Sequence, residues 1–367
     1  MEHFGIDDLL RIAIDKEASD LHLKVGSPPS LRVYGDMFPI ENMPVLTPED
    51  TERLIMSILE EHQRDTFADD KELDIAYELP DCEWRFRVNV FLHRKAIGSV
   101  LRLIPVEVPT IDGWGLPQIL KDLCEKERGF ILFTGPTGYG KSTTLAAMVD
   151  HINHHRRCHI VTLEDPIEFV FEDDLSHITQ REVGDDTHSF LHALERVLRQ
   201  DPNVIMVGEM RDPETMATAL TAAETGHLVM STLHTNSAAE SIDRVIDVFP
   251  PHQQNQIRVQ LAATVEAIIC QTLVPRRTGF GRLASFEIML ATPAVRNLIR
   301  ESETHQIINV IQTNVQMGMQ TRDQSLRAMY EKGLIAYETA LAYASDPEEL
   351  RRATTFGGKV LSASGSK

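Results

Sequence analysis

Residues 135–143 read GPTGYGKST and lie between an apolar run, GFILFT at 129–134, and a stretch predicted to be helical to about Asn153. This is a strand, a glycine-rich turn of the form G-x-x-x-x-G-K-[ST] and a helix, the context in which such a turn holds phosphate. A phosphate chain has to be wrapped by backbone N–H groups, and glycines let the backbone curl that closely without a Cβ in the way. A helix starting near Lys141 aims its free N–H groups and the positive end of its dipole at the same anion. In this pattern Gly135, Pro136, Thr137, Gly138, Tyr139 and Gly140 form the cradle, and Lys141 reaches the β- and γ-phosphates. The Ser142 hydroxyl ligates Mg²⁺, with Thr143 as a neighbouring hydroxyl at the helix start.

Three further residues have side chains suited to phosphate chemistry, and each follows an apolar run. Residues 158–163 lead to Glu164 and Asp165, residues 204–207 to Gly208 and Glu209, and residues 228–233 to His234. In open α/β sheets, ligands bind beyond the carboxyl ends of strands, so three such endings in a chain with a phosphate loop point to one site. Hydrolysis of a γ-phosphoryl group needs a metal ion to neutralise charge, a carboxylate to position water and donors for the transition state. Glu164 is assigned to water and Glu209 to the metal shell, although the chemistry alone also allows the reverse. His234, and His227 earlier in the same segment, either present an imidazole N–H to the γ-phosphate or are simply polar strand ends. By contrast His151, His154, His155 and His159 gather where a helix ends. They read as a solvated terminus in preference to a metal site.

The elements that position these groups alternate between strands and helices from about residue 118 onward, the mark of a parallel sheet covered on both faces. Predicted helices cover 189–198, 213–225, 237–249 and 252–271, and a strand covers 283–288. The remainder from Pro293 to about Ala344 reads as helical. The segment before residue 105 has a different pattern. A short amphipathic helix, a helix introduced by Thr47 and Pro48, and several runs of period-two alternation describe a small α+β domain with an antiparallel sheet. In one of those runs Phe86, Val88 and Val90 face one way and Arg85, Arg87 and Asn89 the other. The arginine face is either solvated or held against a neighbouring subunit's nucleotide, and spacing alone favours the former. Residues 106–117, rich in proline and glycine, read as a linker.

The composition sets limits on partners. A formal charge of −19 over 367 residues argues against a nucleic-acid motor, whose phosphate partner would be repelled over most of the surface. No run of about eighteen apolar residues is present, and the N-terminus lacks the basic start and apolar core of a signal peptide, so a cytosolic location is expected. The four cysteines, Cys82, Cys124, Cys158 and Cys270, are scattered without a C-x-x-C pair. Neither a zinc ribbon nor a disulfide framework is indicated.

Taken together, the phosphate loop, TLEDPIE at 162–168, VGEMRD at 207–212 and TGHLVMSTLHT at 225–235 resemble the phosphate loop, aspartate box, Walker B and histidine box of the secretion-ATPase superfamily. More closely, the chain resembles the type IV pilus retraction ATPases, the PilT family. ASDLHL at 18–23, RFRVN at 85–89 and TPAVRNLIRE at 292–301 extend the likeness over nearly the whole chain. The last of these marks retraction rather than assembly motors. The missing tetracysteine site points the same way.

The resemblance implies a PAS-like α+β N-terminal domain (1–105), a RecA-like P-loop NTPase core (118–290) and a helical C-terminal region (291–352), whereas 353–367, small and polar, departs from the family and reads as a disordered tail. It implies ATP and Mg²⁺ as cofactors, with ATP bound between the two domains. It also implies a homohexamer at the inner face of the inner membrane, without spanning it, working with a pilus platform protein and no nucleic acid. Glu164 falls in the aspartate box, Glu209 in Walker B, and His227 and His234 in the histidine box. Arg85 and Arg87 match the region that supplies nucleotide-facing arginines, which reverses the reading from spacing. Tyr139 departs from the family, where a small serine is usual. The 292–301 helix serves either terminal packing or the platform, and amphipathicity does not separate the two. The activity implied is ATP hydrolysis powering pilus retraction and twitching motility. The alternatives are an accessory retraction, assembly or secretion ATPase of the same superfamily, and a nucleotide-binding regulator with little turnover.

Overall fold

A computed structural model describes residues 4–33, 35–82, 84–104, 107–279 and 281–356. The chain divides into two compact units, the first formed by 1–108 with 166–170 and the second by 109–165 with 171–367.

The first unit runs α1 (Ile6–Asp15), β1 (Asp20–Leu23), β2 (Ser30–Val33), β3 (Asp36–Pro39), α2 (Pro48–Met56), α3 (Glu61–Asp70), β4 (Glu72–Glu78), β5 (Arg85–His93) and β6 (Ala96–Ile104). Its strands form one antiparallel sheet in the order β3-β2-β1-β6-β5-β4. This is the small α+β unit with an antiparallel sheet that the alternating runs predict. Thr47 caps α2 by accepting the Asp50 N–H while the Asp50 carboxylate accepts the Thr47 N–H, a reciprocal arrangement that fixes where the helix begins. On β5, Phe86, Val88 and Val90 are fully buried with Leu9, Leu10 and Leu101, whereas Arg87 is exposed.

The second unit runs α4 (Ile119–Cys124), β7 (Gly129–Thr134), α5 (Lys141–His155), β8 (His159–Glu164), β9 (His177–Glu182), α6 (Phe190–Val197), β10 (Val204–Val207), α7 (Pro213–Glu224), β11 (Leu228–Leu233), α8 (Ala238–Asp247), α9 (Pro251–Thr264), β12 (Val265–Pro275) and β13 (Arg282–Leu290). It ends in α10 (Pro293–Arg300), α11 (Ile307–Thr313), α12 (Arg322–Glu331), α13 (Tyr337–Tyr343) and α14 (Pro347–Phe356). The sheet order is β13-β12-β7-β11-β10-β8-β9, with every neighbouring pair parallel except β12 with β13. Strands β7, β10 and β11 are buried from end to end, as a sheet covered on both faces requires. One apolar layer joins the sheet to α6, α7, α8 and α9, and the other joins it to α4 and α5. This is the parallel sheet covered on both faces that the alternating pattern predicts, and it agrees with the RecA-like core that the resemblance implies. No helix among the described residues is long and apolar enough to cross a membrane.

Three sequence expectations need correction. The helix expected over 252–271 stops at Thr264, and from Val265 the chain is a strand between β7 and β13. An apolar run such as VEAIIC fits a buried helix or a buried strand equally by period, and its β-branched residues are decided by the partners on either side. The expected linker is largely part of the second unit, where Ile111 and Leu116, 2% and 6% exposed, pack into the core. Helix α14 carries helical structure to Phe356, past the expected start of the tail, and 357–367 lie outside the described residues.

Candidate nucleotide site

Because the central strands are parallel and in register, their carboxyl ends share one edge of the sheet. Leu233 lies beside Thr134, and Val207 lies beside both Leu163 and Ser231. The residues that follow these positions, Gly135, His234, Gly208 with Glu209, and Glu164, therefore arrive together.

Gly135, Gly138 and Gly140 take φ values of 139°, 77° and 78°, which is left-handed backbone. The turn is consequently closed to side chains at these positions without strain. Helix α5 starts at Lys141 with no side-chain cap, since its N-cap is Gly140, and so its first N–H groups face the turn. Lys141 is 7% exposed, and its Nζ donates to the carbonyls of Gly135 at 2.6 Å and Pro136 at 3.1 Å. Ser142, Thr137 and Gly138 are exposed, while Pro136, Tyr139, Gly140 and Thr143 are half-buried. A cradle of glycines, an uncapped helix start and a buried ammonium fit a nucleotide's phosphates, with the Ser142 hydroxyl open to a metal ion.

Lys141 Nζ also stands 3.4 Å from Nδ1 of His234, whose Nε2 stands 3.4 Å from a carboxylate oxygen of Glu209. An ammonium has only protons to offer and a carboxylate only lone pairs. The ring therefore spans the two groups, with Nδ1 turned to the ammonium and Nε2 to the carboxylate. Glu209 is paired in turn with the Arg211 guanidinium. Lys141, His234, Glu209 and Arg211 thus form one polar line along the edge of the sheet. The line is anchored from below by Thr232, whose hydroxyl donates to the Gly208 carbonyl at 2.6 Å. Arg211, two residues beyond Glu209 inside VGEMRD, is a member that the sequence reading did not single out.

Glu164 is placed differently. It is 7% exposed at the end of β8 and accepts from the Thr162 hydroxyl at 2.7 Å and from the Gln180 side-chain amide at 3.2 Å. Gly208 permits this close fit: a Cβ there would lie 3.2 Å from the Leu163 carbonyl oxygen and 3.6 Å from the Glu164 Cα. Thr162 shares a strand face with Glu164 because they are two residues apart. Gln180 on the edge strand β9 became visible only in the fold.

His227 does not join this group within the chain. It precedes β11 at its entering end, where its carbonyl accepts from Gly129 at 3.0 Å and its Nδ1 contacts the Ala222 carbonyl at 2.9 Å. A strand of this length separates it from His234 by about 20 Å. The shared sequence box spans a whole strand, so its two histidines belong to opposite ends of the sheet.

In the first unit, Arg85 pairs with Glu78 across the β4–β5 ladder at 3.0 Å, and Arg87 is exposed on the same strand. The histidine group at the end of α5 is engaged locally: His154 faces Asp150 and Asp174, and His151 stacks on His155 with ring centroids 4.0 Å apart. Contact with the Asp150 carbonyl, with the two carboxylates nearby, raises the His154 pKa, whereas burial lowers that of His151.

The family model described as type II/IV secretion system protein matches residues 5–341. The type IV pilus retractation ATPase PilT of Pseudomonas aeruginosa is 48% identical over 94% of this chain and 99% of its own. A twitching motility protein of Neisseria gonorrhoeae is also 48% identical, over 88% of this chain and 86% of its own. Among solved structures, the pilus retraction motor PilT with bound ADP superposes with a TM-score of 0.89 at 45% identity, covering 95% of this chain and 99% of that one.

Proposed function

Since this chain belongs to the type II/IV secretion system protein family, we propose that it is an ATPase that powers retraction of type IV pili. The observation that carries the reading is the convergence of the Gly135–Gly140 cradle, buried Lys141, His234 and Glu209 on one edge of the sheet. The likeness to the pilus retraction motor over nearly its full length supports the cellular role.

ATP would be held by the N–H groups of 135–143 and by Lys141. Mg²⁺, held by Ser142 with Glu209 in its outer shell, would supply charge neutralisation at the phosphates. The chain's own groups do the rest. Lys141 exchanges the carbonyls of Gly135 and Pro136 for phosphate oxygens. His234, standing between Lys141 and Glu209, relays the position of the loop to Glu209. Glu164, oriented by Thr162 and Gln180, presents a fixed carboxylate that orders water. Arg85 and Arg87 are proposed as cations facing a nucleotide. The working form is proposed to be a homohexamer at the cytoplasmic face of the inner membrane, coupled to a pilus platform protein.

The test is a set of substitutions read by nucleotide binding and by turnover. Lys141→Ala abolishes tight binding, whereas Glu209→Ala and Glu164→Gln keep binding and stop turnover. Equal loss of binding in all three contradicts the assigned roles. Full binding by the wild type without turnover under any condition favours a nucleotide-binding regulator.

A further inference from the structure

Gln271 stands on β12, outside every motif that marks the site, yet it touches the phosphate loop at Tyr139 and Gly135 and the helix behind it at Thr144. Its side-chain Nε2 donates to the Tyr139 carbonyl at 2.8 Å. Its Oε1 accepts from the Thr144 hydroxyl on the first turn of α5 at 2.7 Å. Its main-chain carbonyl presses against Gly135, where an added Cβ would come within 2.3 Å of the oxygen. The register makes this inevitable, because Cys270 pairs with Thr134 and the next residue of each strand is Gln271 and Gly135.

A polar side chain that is 3% exposed has to be satisfied, and both ends of this amide are. A neutral amide both donates to a carbonyl and accepts from a hydroxyl without carrying charge. A carboxylate here would repel phosphate and lose the bond to Tyr139. An aliphatic group would lose both bonds.

We infer that Gln271 is a positioning residue for the nucleotide site, pinning the loop at Tyr139 to α5 at Thr144 so that the cradle holds its open form before nucleotide arrives. The inference rests on the functional reading above. Preorganised donors bind an anion more tightly than donors that must be ordered on binding, so loss of the pin appears in affinity.

The experiment is a double-mutant cycle on the full-length chain, using Gln271→Met, Thr144→Val and the pair, with ADP affinity measured by calorimetry and thermal stability measured without nucleotide. Gln271→Met is expected to weaken ADP binding about tenfold. The pair is expected to be clearly less than additive in affinity, because each substitution by itself already breaks the Thr144–Gln271 bond. Gln271→Glu is expected to weaken binding further than Gln271→Met. Affinity within about twofold of wild type in Gln271→Met, or strict additivity in the cycle, overturns the inference while leaving the functional reading intact. A loss of thermal stability with unchanged affinity also overturns it, since that is a purely structural role. Failure of the wild type itself to bind ADP refutes the functional reading, and the inference falls with it.

Discussion

Replacing Gly135 by alanine is expected to damage the loop far more than the same change at Gly138, although both are motif or near-motif glycines with positive φ. At Gly138 an added Cβ meets nothing within 4 Å, so the cost is only that of an L-residue at φ 77°, about 1–2 kcal/mol. At Gly135 the backbone is at φ 139°, a region open essentially to glycine alone, and the Cβ would lie 2.3 Å from the Gln271 carbonyl oxygen. That oxygen belongs to a ladder strand and has no freedom to swing aside. Strain and overpacking together bring the expected cost to about 4 kcal/mol. Urea unfolding followed by far-ultraviolet circular dichroism, without nucleotide, measures the difference. At a slope of about 2 kcal/mol per molar urea, Gly135→Ala moves the midpoint down by about 2 M and Gly138→Ala by less than about 1 M. Equal midpoints for the two variants would refute the steric argument, and with it the close approach of β12 to the loop.

Other consequences follow from the same contacts. The Arg322 guanidinium at the start of α12 donates to the Asn236 carbonyl, two residues beyond His234. Arg322→Ala is therefore expected to lower turnover several-fold while changing nucleotide affinity little, as steady-state kinetics and calorimetry would show, and an equal loss of both would contradict this. Glu287, 4% exposed on β13, accepts the Ala238 N–H at 2.8 Å, and burial raises its pKa despite that bond and the Arg322 charge. A carboxyl whose folded pKa is raised binds more protons folded than unfolded, so its contribution to stability declines as pH rises from the usual carboxylate range through the folded value. Glu287→Gln is accordingly expected to raise the melting temperature relative to wild type at pH 8 and to lose that advantage near pH 4. A constant difference at all pH values would contradict the assignment. Substituting His227 by asparagine is expected to leave nucleotide affinity within about twofold of wild type, whereas His234→Ala disturbs it. An equal effect of the two on affinity would refute their separation.

The parts of this site that the sequence revealed were local in the chain. GPTGYGKST specifies its own turn because glycine spacing and a helix start are short-range properties, and the strand endings at Glu164, Glu209 and His234 follow from apolar runs of strand length. What stayed hidden depended on neighbours distant in sequence. By its sequence Gln271 ends a helix, because the VEAIIC run has no period that excludes one. Only pairing with β7 makes it a strand residue beside Gly135. A glutamine inside such an apolar run was the available signal. His227 was grouped with His234 because the two share a motif, and only the direction of β11 separates them. The 106–117 segment reads as a linker from its prolines and glycines, while its apolar Ile111 and Leu116, both buried in the core, carry the opposite message.

The central claim is an ATP-driven ring motor, and it is tested most directly by ATP hydrolysis measured against protein concentration, with mass read in parallel by light scattering and Glu209→Ala as control. The account predicts turnover that rises as a six-subunit species forms and disappears in the variant. Full hydrolysis by a monomer, unchanged as subunits associate, would contradict it.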